Sequence, residues 1–262
     1  MVVLNNQVLF SYTGLSKIED LRTDHWLAQI LVENPFINPN MLMQAIAEAA
    51  TKAFKKLPKY LSKEDKRHAF SAVGWSLIPG HGISPFFAAV SNALTAQQTW
   101  MREAQDEFTV KIGVLPAGGR YGYIASHGAT LNQRELSSLS RKLRNCTRRK
   151  IGPEPVAKIL KDQMLLSASK NWKVGKSLML GCLPHPTLRS DLGAFLTDLA
   201  PSSPSTMRDA ASFRYFAASG NASIQFSPIC VNQGQVNDLT VQKLNESGTD
   251  VEITLTRISP RK

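Results

Sequence analysis

Four amphipathic helical segments dominate the sequence, and they come in two pairs. Residues 40–57 carry the clearest pattern, because apolar residues recur there every three or four positions: Leu42, Ile46, Ala49, Ala53 and Leu57. The segment 25–33 precedes it, and Thr23 and Asp24 are positioned to cap that first helix. The segments 131–149 and 154–170 form the second pair. Pro35 and Pro39 end the first helix, and the short break Gly152-Pro153 separates the members of the second pair, which predicts that these two helices lie antiparallel.

Short apolar runs of strand length lie before, between and after the two helix pairs. The first two runs lie within residues 2–14 and flank an Asn5-Asn6 turn. Further predicted strands are residues 68–77, 84–92, 108–114, 121–125, 177–183, 213–216, 224–231 and 251–258. Strands alternating with two helix pairs indicate an α+β protein. The order is typical of a four-layer αββα sandwich, and a plain two-layer α+β fold has the same pattern.

Composition divides the chain into three predicted parts. Residues 1–186 contain both helix pairs and are predicted to form one αββα domain. Residues 187–210 are rich in serine and proline and are predicted to be a connection. Residues 211–262 contain the last strand patterns and are predicted to be a strand-rich C-terminal extension.

The formal net charge of +11 resides in two segments. Residues 52–67 lie at the C-terminal end of a predicted helix, where the helix dipole favours cations. In residues 134–150, Arg141, Arg144 and Arg148 share one helix face, which suits contacts with nucleic-acid phosphates. The alternative is a helix face that is solvated or contacts another subunit. No aromatic residues interleave with these arginines, which argues against binding of single strands.

The sequence also argues against several classes of protein. It has no apolar run of the roughly 18 residues that a membrane span needs, and no leader pattern, so a cytoplasmic protein without a membrane partner is predicted. Cys146, Cys182 and Cys230 are widely spaced, which favours neither a disulfide framework nor a metal site. Phosphate-binding loops and nucleophile elbows are missing, so no cofactor is expected. No combination of Ser, His and Asp is specific enough to predict a catalytic triad.

Several ordered segments resemble one known family. They are the run from Leu4 to Gly14-Leu15, the run Thr23-Asp24-His25-Trp26-Leu27-Ala28, then Val73-Gly74-Trp75, Val90-Ser91-Asn92, and the block from Gly152 through residues 171–175 to Leu183. This set resembles the proteasome-type members of the N-terminal nucleophile (Ntn) hydrolases over residues 1 to about 185. The resemblance implies the αββα fold, here incomplete at its N-terminus.

The family implied by this resemblance hydrolyses amide bonds. Its mature chain begins with Thr, Ser or Cys, whose side chain attacks a carbonyl while its own α-amine serves as the general base. A nearby Lys lowers the pKa of the nucleophile, an Asp supports the array, and a glycine N–H stabilises the oxyanion. The resemblance places Gly14 at the position of that glycine.

The other functional positions of the family are changed in this chain. Met1 and Val2 stand where a nucleophile is needed, and the catalytic Lys would precede Met1. The supporting Asp corresponds to Asn171, and a Ser slightly further along corresponds to Val174. His127 stands roughly where the family has a Ser before a long helix. The chain as it stands is therefore predicted to lack peptidase activity.

The strand hairpin that precedes this point in the family has no counterpart before Met1. A start assigned too late would explain this, and the chain would then be an amide-bond hydrolase with its nucleophile in an upstream segment. The competing explanation is an inactive homologue; the intact core pattern favours the late start. A non-catalytic interaction subunit and a basic nucleic-acid-binding protein remain as alternatives. The resemblance implies a homo-oligomer, and a peptide-like substrate if the protein is active.

Overall fold

The computed structural model describes residues 1–5, 7–34, 38–58, 60–78, 82–95, 97, 99–114, 131–149, 153–170, 178–183, 212–216, 229–232, 235–238 and 250–254. The helices in these ranges are α1 (Thr23–Glu33), α2 (Pro39–Phe54), α3 (Gln133–Arg148) and α4 (Pro153–Lys170). The strands are β1 (Val2–Leu4), β2 (Val8–Thr13), β3 (Lys17–Ile18), β4 (Leu21–Arg22), β5 (Ala69–Ile78), β6 (Gly82–Ser91), β7 (Thr109–Val114), β8 (Leu178–Cys182), β9 (Ser212–Phe216), β10 (Ile229–Asn232), β11 (Gln235–Asp238) and β12 (Asp250–Thr254).

The largest sheet has the strand order β11-β10-β1-β2-β5-β6-β7. Strands β1 and β10 run parallel, and the other neighbours run antiparallel. In the hairpin β1–β2, Leu4 pairs with Val8 and Asn5 takes a left-handed φ of 48°. Asparagine tolerates that backbone conformation, so the predicted asparagine turn is confirmed.

Helices α1 and α2 cover one face of this sheet. Phe10 of β2 and Phe70 of β5 are buried and pack in one core with Trp26 of α1 and Ile46 of α2. The rings of Trp26 and Phe70 stack with their centroids 5.6 Å apart. Full burial of a side chain of this kind stabilises a fold by about 1.5–3 kcal/mol. This interface therefore fixes the first helix pair on the sheet.

Helix α2 forms where its apolar periodicity predicts it. Asn38 caps the helix, since its Oδ1 accepts a hydrogen bond from the Asn40 N–H at 2.8 Å, and Pro39 occupies the first turn. The helix ends at Phe54 rather than at the predicted residue 57. The buried face is also wider than the predicted stripe, since it includes five further residues: Pro39, Met43, Ala47, Ala50 and Phe54.

Helix α1 begins two residues earlier than predicted, and Thr23 does not cap it. The Thr23 side chain is fully buried and its hydroxyl donates a hydrogen bond to the Leu15 carbonyl at 2.7 Å. The N-cap position falls on Arg22, whose side chain makes no capping hydrogen bond. The expected cap residue instead ties the helix to the segment that follows β2.

The opposite face of the large sheet is apolar, and part of it is open to solvent. The register aligns Val3, Leu9, Val73 and Phe87 in one row across β1, β2, β5 and β6. Val3 and Leu9 are buried, whereas Val73 is 51% exposed and Leu77 is 42% exposed. Among the described residues, the part of this face around Val73 and Leu77 of β5 is thus left uncovered.

The second helix pair packs on a smaller sheet. Helices α3 and α4 contact each other, and α4 contacts β8 of the antiparallel sheet β12-β9-β8. Asn132 and Glu135 form a reciprocal capping box at the start of α3, with hydrogen bonds of 2.9 and 3.0 Å. Glu135 also pairs with Lys170 at the end of α4, so the two helices are antiparallel as predicted.

The described chain is mixed α+β, with antiparallel sheets and helix pairs, as the sequence predicted. The described strands after residue 211 join strands from the first 186 residues. Strand β10 pairs with β1, and β9 pairs with β8. The predicted strand 121–125 and the predicted connection 187–210 lie outside the described residues.

Candidate functional site

Gly14 lies at the carboxyl end of β2, in a backbone conformation that favours glycine. Its φ is +116°, and a Cβ built on it would lie 2.4 Å from the Arg67 carbonyl oxygen and 2.6 Å from Nδ1 of His68. Any larger residue would have to move the backbone of the neighbouring segment. The residue is nevertheless exposed on its other side. Gly14 is thus a tightly fixed, solvent-accessible turn at the end of a central strand.

His68 lies directly behind this turn. It is 2% exposed, and its Nδ1 accepts a hydrogen bond from the Leu15 N–H at 3.0 Å. An accepting Nδ1 places the ring proton on Nε2, and Nε2 is buried with no hydrogen-bond partner in the described part of the chain. Burial lowers the pKa of His68 to about 3. The imidazole is therefore neutral at physiological pH.

Aromatic rings surround the His68 imidazole. The ring of Tyr12 stacks on it at a centroid distance of 6.0 Å, and the rings of Phe54 and Phe70 lie at 5.3 and 4.6 Å. This apolar wall explains the lowered pKa of His68, because it offers no carboxylate to stabilise an imidazolium. Burial also raises the pKa of Tyr12, and the nearby Asp24 carboxylate raises it further.

Asn92 and Ser91 hold the backbone of His68 at the junction of β5 and β6. The Asn92 Oδ1 accepts the His68 N–H at 2.8 Å, and its Nδ2 donates to the Lys66 carbonyl at 2.8 Å. The Ser91 hydroxyl donates to the His68 carbonyl at 2.8 Å. Both side chains are about 1% exposed. These bonds satisfy buried backbone groups, which fixes the segment behind Gly14.

This arrangement is not a catalytic triad, although it contains Ser, His and Asn. The Ser91 hydroxyl bonds to the main chain of His68 and not to its ring. No serine or threonine hydroxyl reaches the ring of His25 or His68 in the hydrogen bonds of the described residues. A nucleophile–base pair needs that contact, so the described side chains around His68 hold backbone and do not form such a pair.

Asp24 is the buried carboxylate nearest to this cluster, and it is fully engaged. Its Oδ2 accepts a hydrogen bond from the Arg22 guanidinium at 2.6 Å, and its Oδ1 accepts from Arg22 Nε at 3.2 Å and from the His25 N–H at 3.0 Å. The carboxylate is only 5% exposed. It therefore neutralises Arg22 at the start of α1.

Of the site residues predicted from the sequence, Gly14 lies within the described part of the chain. It lies next to His68 and Leu15. The predicted positions His127, Asn171 and Val174 lie outside the described residues. Sequence reasoning did not identify His68 as a residue of this site. A signal for the site was the Ser91-Asn92 pair at a strand end, since polar residues that follow an apolar run are candidates for buried backbone contacts.

The predicted arginine face is present on α3. Arg141, Arg144 and Arg148 are exposed, and Leu139 and Cys146 on the opposite side of the helix are buried. An open groove of about 420 Å³ runs along the arginine face, and the described residues that line it all belong to α3: Leu136, Ser137, Ser140, Arg141, Arg144, Asn145 and Arg148. This side of α3 is a polar, cationic surface.

The described residues contain neither a metal-ligand cluster nor a membrane-spanning helix. No three or more His, Cys, Asp or Glu side chains in the described ranges are grouped so that they would hold a metal ion. The helices described here include none that combines the length and the apolar character needed to cross a bilayer.

Comparison with known proteins does not assign a family. No family model matches the chain, and no curated protein or solved structure matches it.

Proposed function

We propose that this chain is an Ntn-hydrolase-like protein of the proteasome-subunit type that serves as a non-catalytic interaction subunit. The observation that carries the proposal is the state of the polar side chains behind Gly14. His68, Asp24 and Thr23 are all buried and all engaged in holding backbone or neutralising a neighbour. The chain retains the glycine turn that the resemblance assigns to oxyanion binding. The described polar groups around this turn stabilise the fold.

The order of elements supports the resemblance to this family. A strand hairpin ends in the Gly14 turn, a helix pair follows and covers one face of the sheet, and an antiparallel meander β5-β6-β7 comes next. A second helix pair then leads into β8 of a second sheet. The family implied by the resemblance has this same sequence of layers.

Strand register supports a four-layer stacking of the two sheets. In the small sheet, one row across the strands is Met179, Tyr215 and Val251, and the row two residues away is Gly181, Phe213 and Ile253. The row between them is Leu180, Arg214 and Glu252. Rows two residues apart lie on the same face of a sheet, so one face is built from apolar residue types. Such a face matches the open apolar face at Val73 and Leu77.

The chemistry of His68 argues against a role for this residue as a general base. A general base must accept a proton near neutral pH, and the pKa of His68 is lowered to about 3 by burial. Its accepting nitrogen is already bonded to the Leu15 N–H. The imidazole therefore positions the turn that follows β2 and does not activate a nucleophile.

A peptidase assay on the purified chain tests this proposal. We expect no release of fluorophore from a panel of peptide amides with acidic, basic and apolar residues before the scissile bond. We also expect no covalent labelling by an electrophile that reacts with N-terminal nucleophiles, as read by intact mass. Turnover or labelling that is lost in Gly14→Ala but retained in Ser16→Ala, an exposed neighbour, would overturn the non-catalytic assignment.

One observation favours a second candidate, an amide-bond hydrolase whose nucleophile lies upstream of Met1. Val2 pairs with Phe10, so residues preceding Met1 on the same strand would lie opposite Tyr12 and Thr13, beside the exposed Gly14. A nucleophile delivered by such a segment would meet the Gly14 turn. Terminal sequencing of the protein isolated from its natural source tests this. A mature end at Thr, Ser or Cys upstream of Met1 supports the hydrolase, and a mature end at Met1 or Val2 refutes it.

A further inference from the structure

We propose that the arginine face of α3 binds the phosphate backbone of duplex nucleic acid without reading its sequence. This face is defined by Ser137, Ser140, Arg141, Arg144, Asn145 and Arg148. The inference rests on the geometry of α3 alone and does not depend on the proposed function.

The three arginines of this face are available to a ligand. Arg141, Arg144 and Arg148 are exposed, and none of them forms an ion pair with a carboxylate among the described residues. The acidic residue of α3 is Glu135, and Lys170 together with the Asn132 N–H holds its carboxylate at the start of the helix. Contact with Lys170 also holds the pKa of Glu135 below its ordinary value. The cationic charge along the rest of the face is therefore not neutralised locally.

The spacing of the arginines fits a regular polyanion. From Arg141 to Arg148 the helix advances by about 10 Å, at about 1.5 Å per residue. Three steps of about 3.4 Å, which join four successive phosphates of one DNA strand, cover about the same length along the duplex axis. Each guanidinium presents a planar fork that bonds a phosphate through two N–H groups. One strand laid along α3 would thus meet all three side chains.

The other residues of the face favour phosphate over base contacts. Ser137 and Ser140 precede Arg141 on this face, and Asn145 lies between Arg144 and Arg148. They supply hydroxyl and amide donors, which commonly bond phosphate oxygens. Helix α3 contains no aromatic residue on which an unpaired base would stack. The groove of about 420 Å³ is open along the helix rather than enclosing, which suits an extended polymer better than a small molecule. A duplex backbone matches these features.

Salt-dependent binding of a labelled 20-base-pair DNA duplex to the full chain tests the proposal. Neutralising three phosphates gives a slope of about −2.7 in log affinity against log salt, so affinity falls about 40-fold between 50 and 200 mM salt. In the variant Arg141→Gln/Arg144→Gln/Arg148→Gln, we expect the slope to lose about 2 to 3 units and the affinity at 50 mM salt to fall at least tenfold.

The matched control is Lys52→Gln/Lys55→Gln/Lys63→Gln. It removes the same three charges from exposed positions of the other basic segment. We expect its affinity to stay within about threefold of the unmodified chain. Circular dichroism and thermal melting check that both variants fold, and the exposed side chains make a folding defect unexpected.

Four outcomes would overturn the proposal. The first is no binding of duplex DNA by the unmodified chain at 50 mM salt. The second is an equal loss of affinity in both triple variants, which would show that the affinity for DNA depends only on the net charge of the protein. The third is equally tight binding of polyglutamate with the same salt slope, which would point to an acidic protein partner. Tighter binding of single-stranded than duplex DNA also counts against the assignment.

Discussion

His68 is neutral in the folded protein because its ring is enclosed by Tyr12, Phe54 and Phe70 and bonded by the Leu15 N–H. In the unfolded chain the same imidazole is solvated and has an ordinary pKa of about 6.5. Its folded pKa is about 3, and the lowering is due to burial. Between these two pH values the unfolded chain binds one more proton than the folded chain does. Stability must therefore rise with pH across this window.

The first prediction concerns the pH dependence of unfolding. The contribution of His68 is fully present above about pH 6.5 and is lost as the pH falls towards 3. Between pH 7.5 and 5 we expect the free energy of unfolding to fall by about 2 kcal/mol from this residue. Urea denaturation across that range measures it. His68→Gln keeps an acceptor and cannot titrate, so its profile should be flatter by that amount.

The comparison of the two profiles removes the contribution of carboxylates, since both proteins contain the same ones. Parallel profiles for His68→Gln and the unmodified chain would show that His68 is protonated in the fold. That result would contradict the neutral, buried imidazole.

At the scale of elements, Asn92 connects the end of β6 to the segment that leads into β5. Its side chain bonds the His68 N–H and the Lys66 carbonyl, and its own carbonyl accepts a hydrogen bond from the Gln105 N–H at 2.6 Å. One buried residue, through its side chain and its carbonyl, thus joins three stretches of chain. Because it lies behind the Gly14 turn, this link supports the geometry of the candidate site.

The second prediction is the effect of removing this link. Asn92→Ala leaves two backbone groups, the His68 N–H and the Lys66 carbonyl, without their partner. We expect a loss of about 2–4 kcal/mol in the free energy of unfolding, at about 1–2 kcal/mol for each group left unpaired. Ser91→Ala should cost less, since it leaves one backbone group, the Ala93 N–H, without its partner, while the His68 carbonyl keeps the Asn92 N–H at 3.3 Å. Gln97→Ala, at an exposed position, is the control. Equal midpoints for all three variants would refute the role of Asn92.

At the scale of the whole molecule, a four-layer sandwich would bring together two sheet faces that carry rows of apolar residues. The first is the face of the large sheet around β5, where Val73 and Leu77 are half exposed. The second is the sheet β12-β9-β8, whose register aligns two rows of apolar residues. Apolar area removed from water stabilises by about 25 cal/mol per Å², so stacking these two faces is favourable.

The third prediction tests that stacking. If the small sheet covers the large one, Val73→Lys places a charge in the interface and should lower the free energy of unfolding by about 2–4 kcal/mol. Met41→Lys, on the exposed side of α2 at 66% exposure, should change it by less than about 0.5 kcal/mol. Chemical denaturation of the full chain measures both. Two variants of equal stability would argue against the four-layer arrangement.

Local patterns were sufficient for the elements that obey one strong periodicity. The α2 stripe of Leu42 and Ile46 and the asparagine turn after β1 both follow from interactions within a few residues. The arginine face of α3 was equally predictable, because residues three and four apart share a helix face. By contrast, Thr23 was expected to cap α1, and the distant Leu15 carbonyl takes its hydroxyl instead.

The sequence by itself determined the mixed α+β class and the two helix pairs, because periodicity is local, and the resemblance to a known family singled out Gly14 at the candidate turn. Only the tertiary structure decided what lies behind Gly14. His68 is 53 residues from its partner Leu15, and Asn92 lies 24 residues beyond His68. No local pattern encodes such contacts, since burial and hydrogen bonding between distant segments arise only when the sheet assembles. The same assembly turns an ordinary histidine into a neutral buried one.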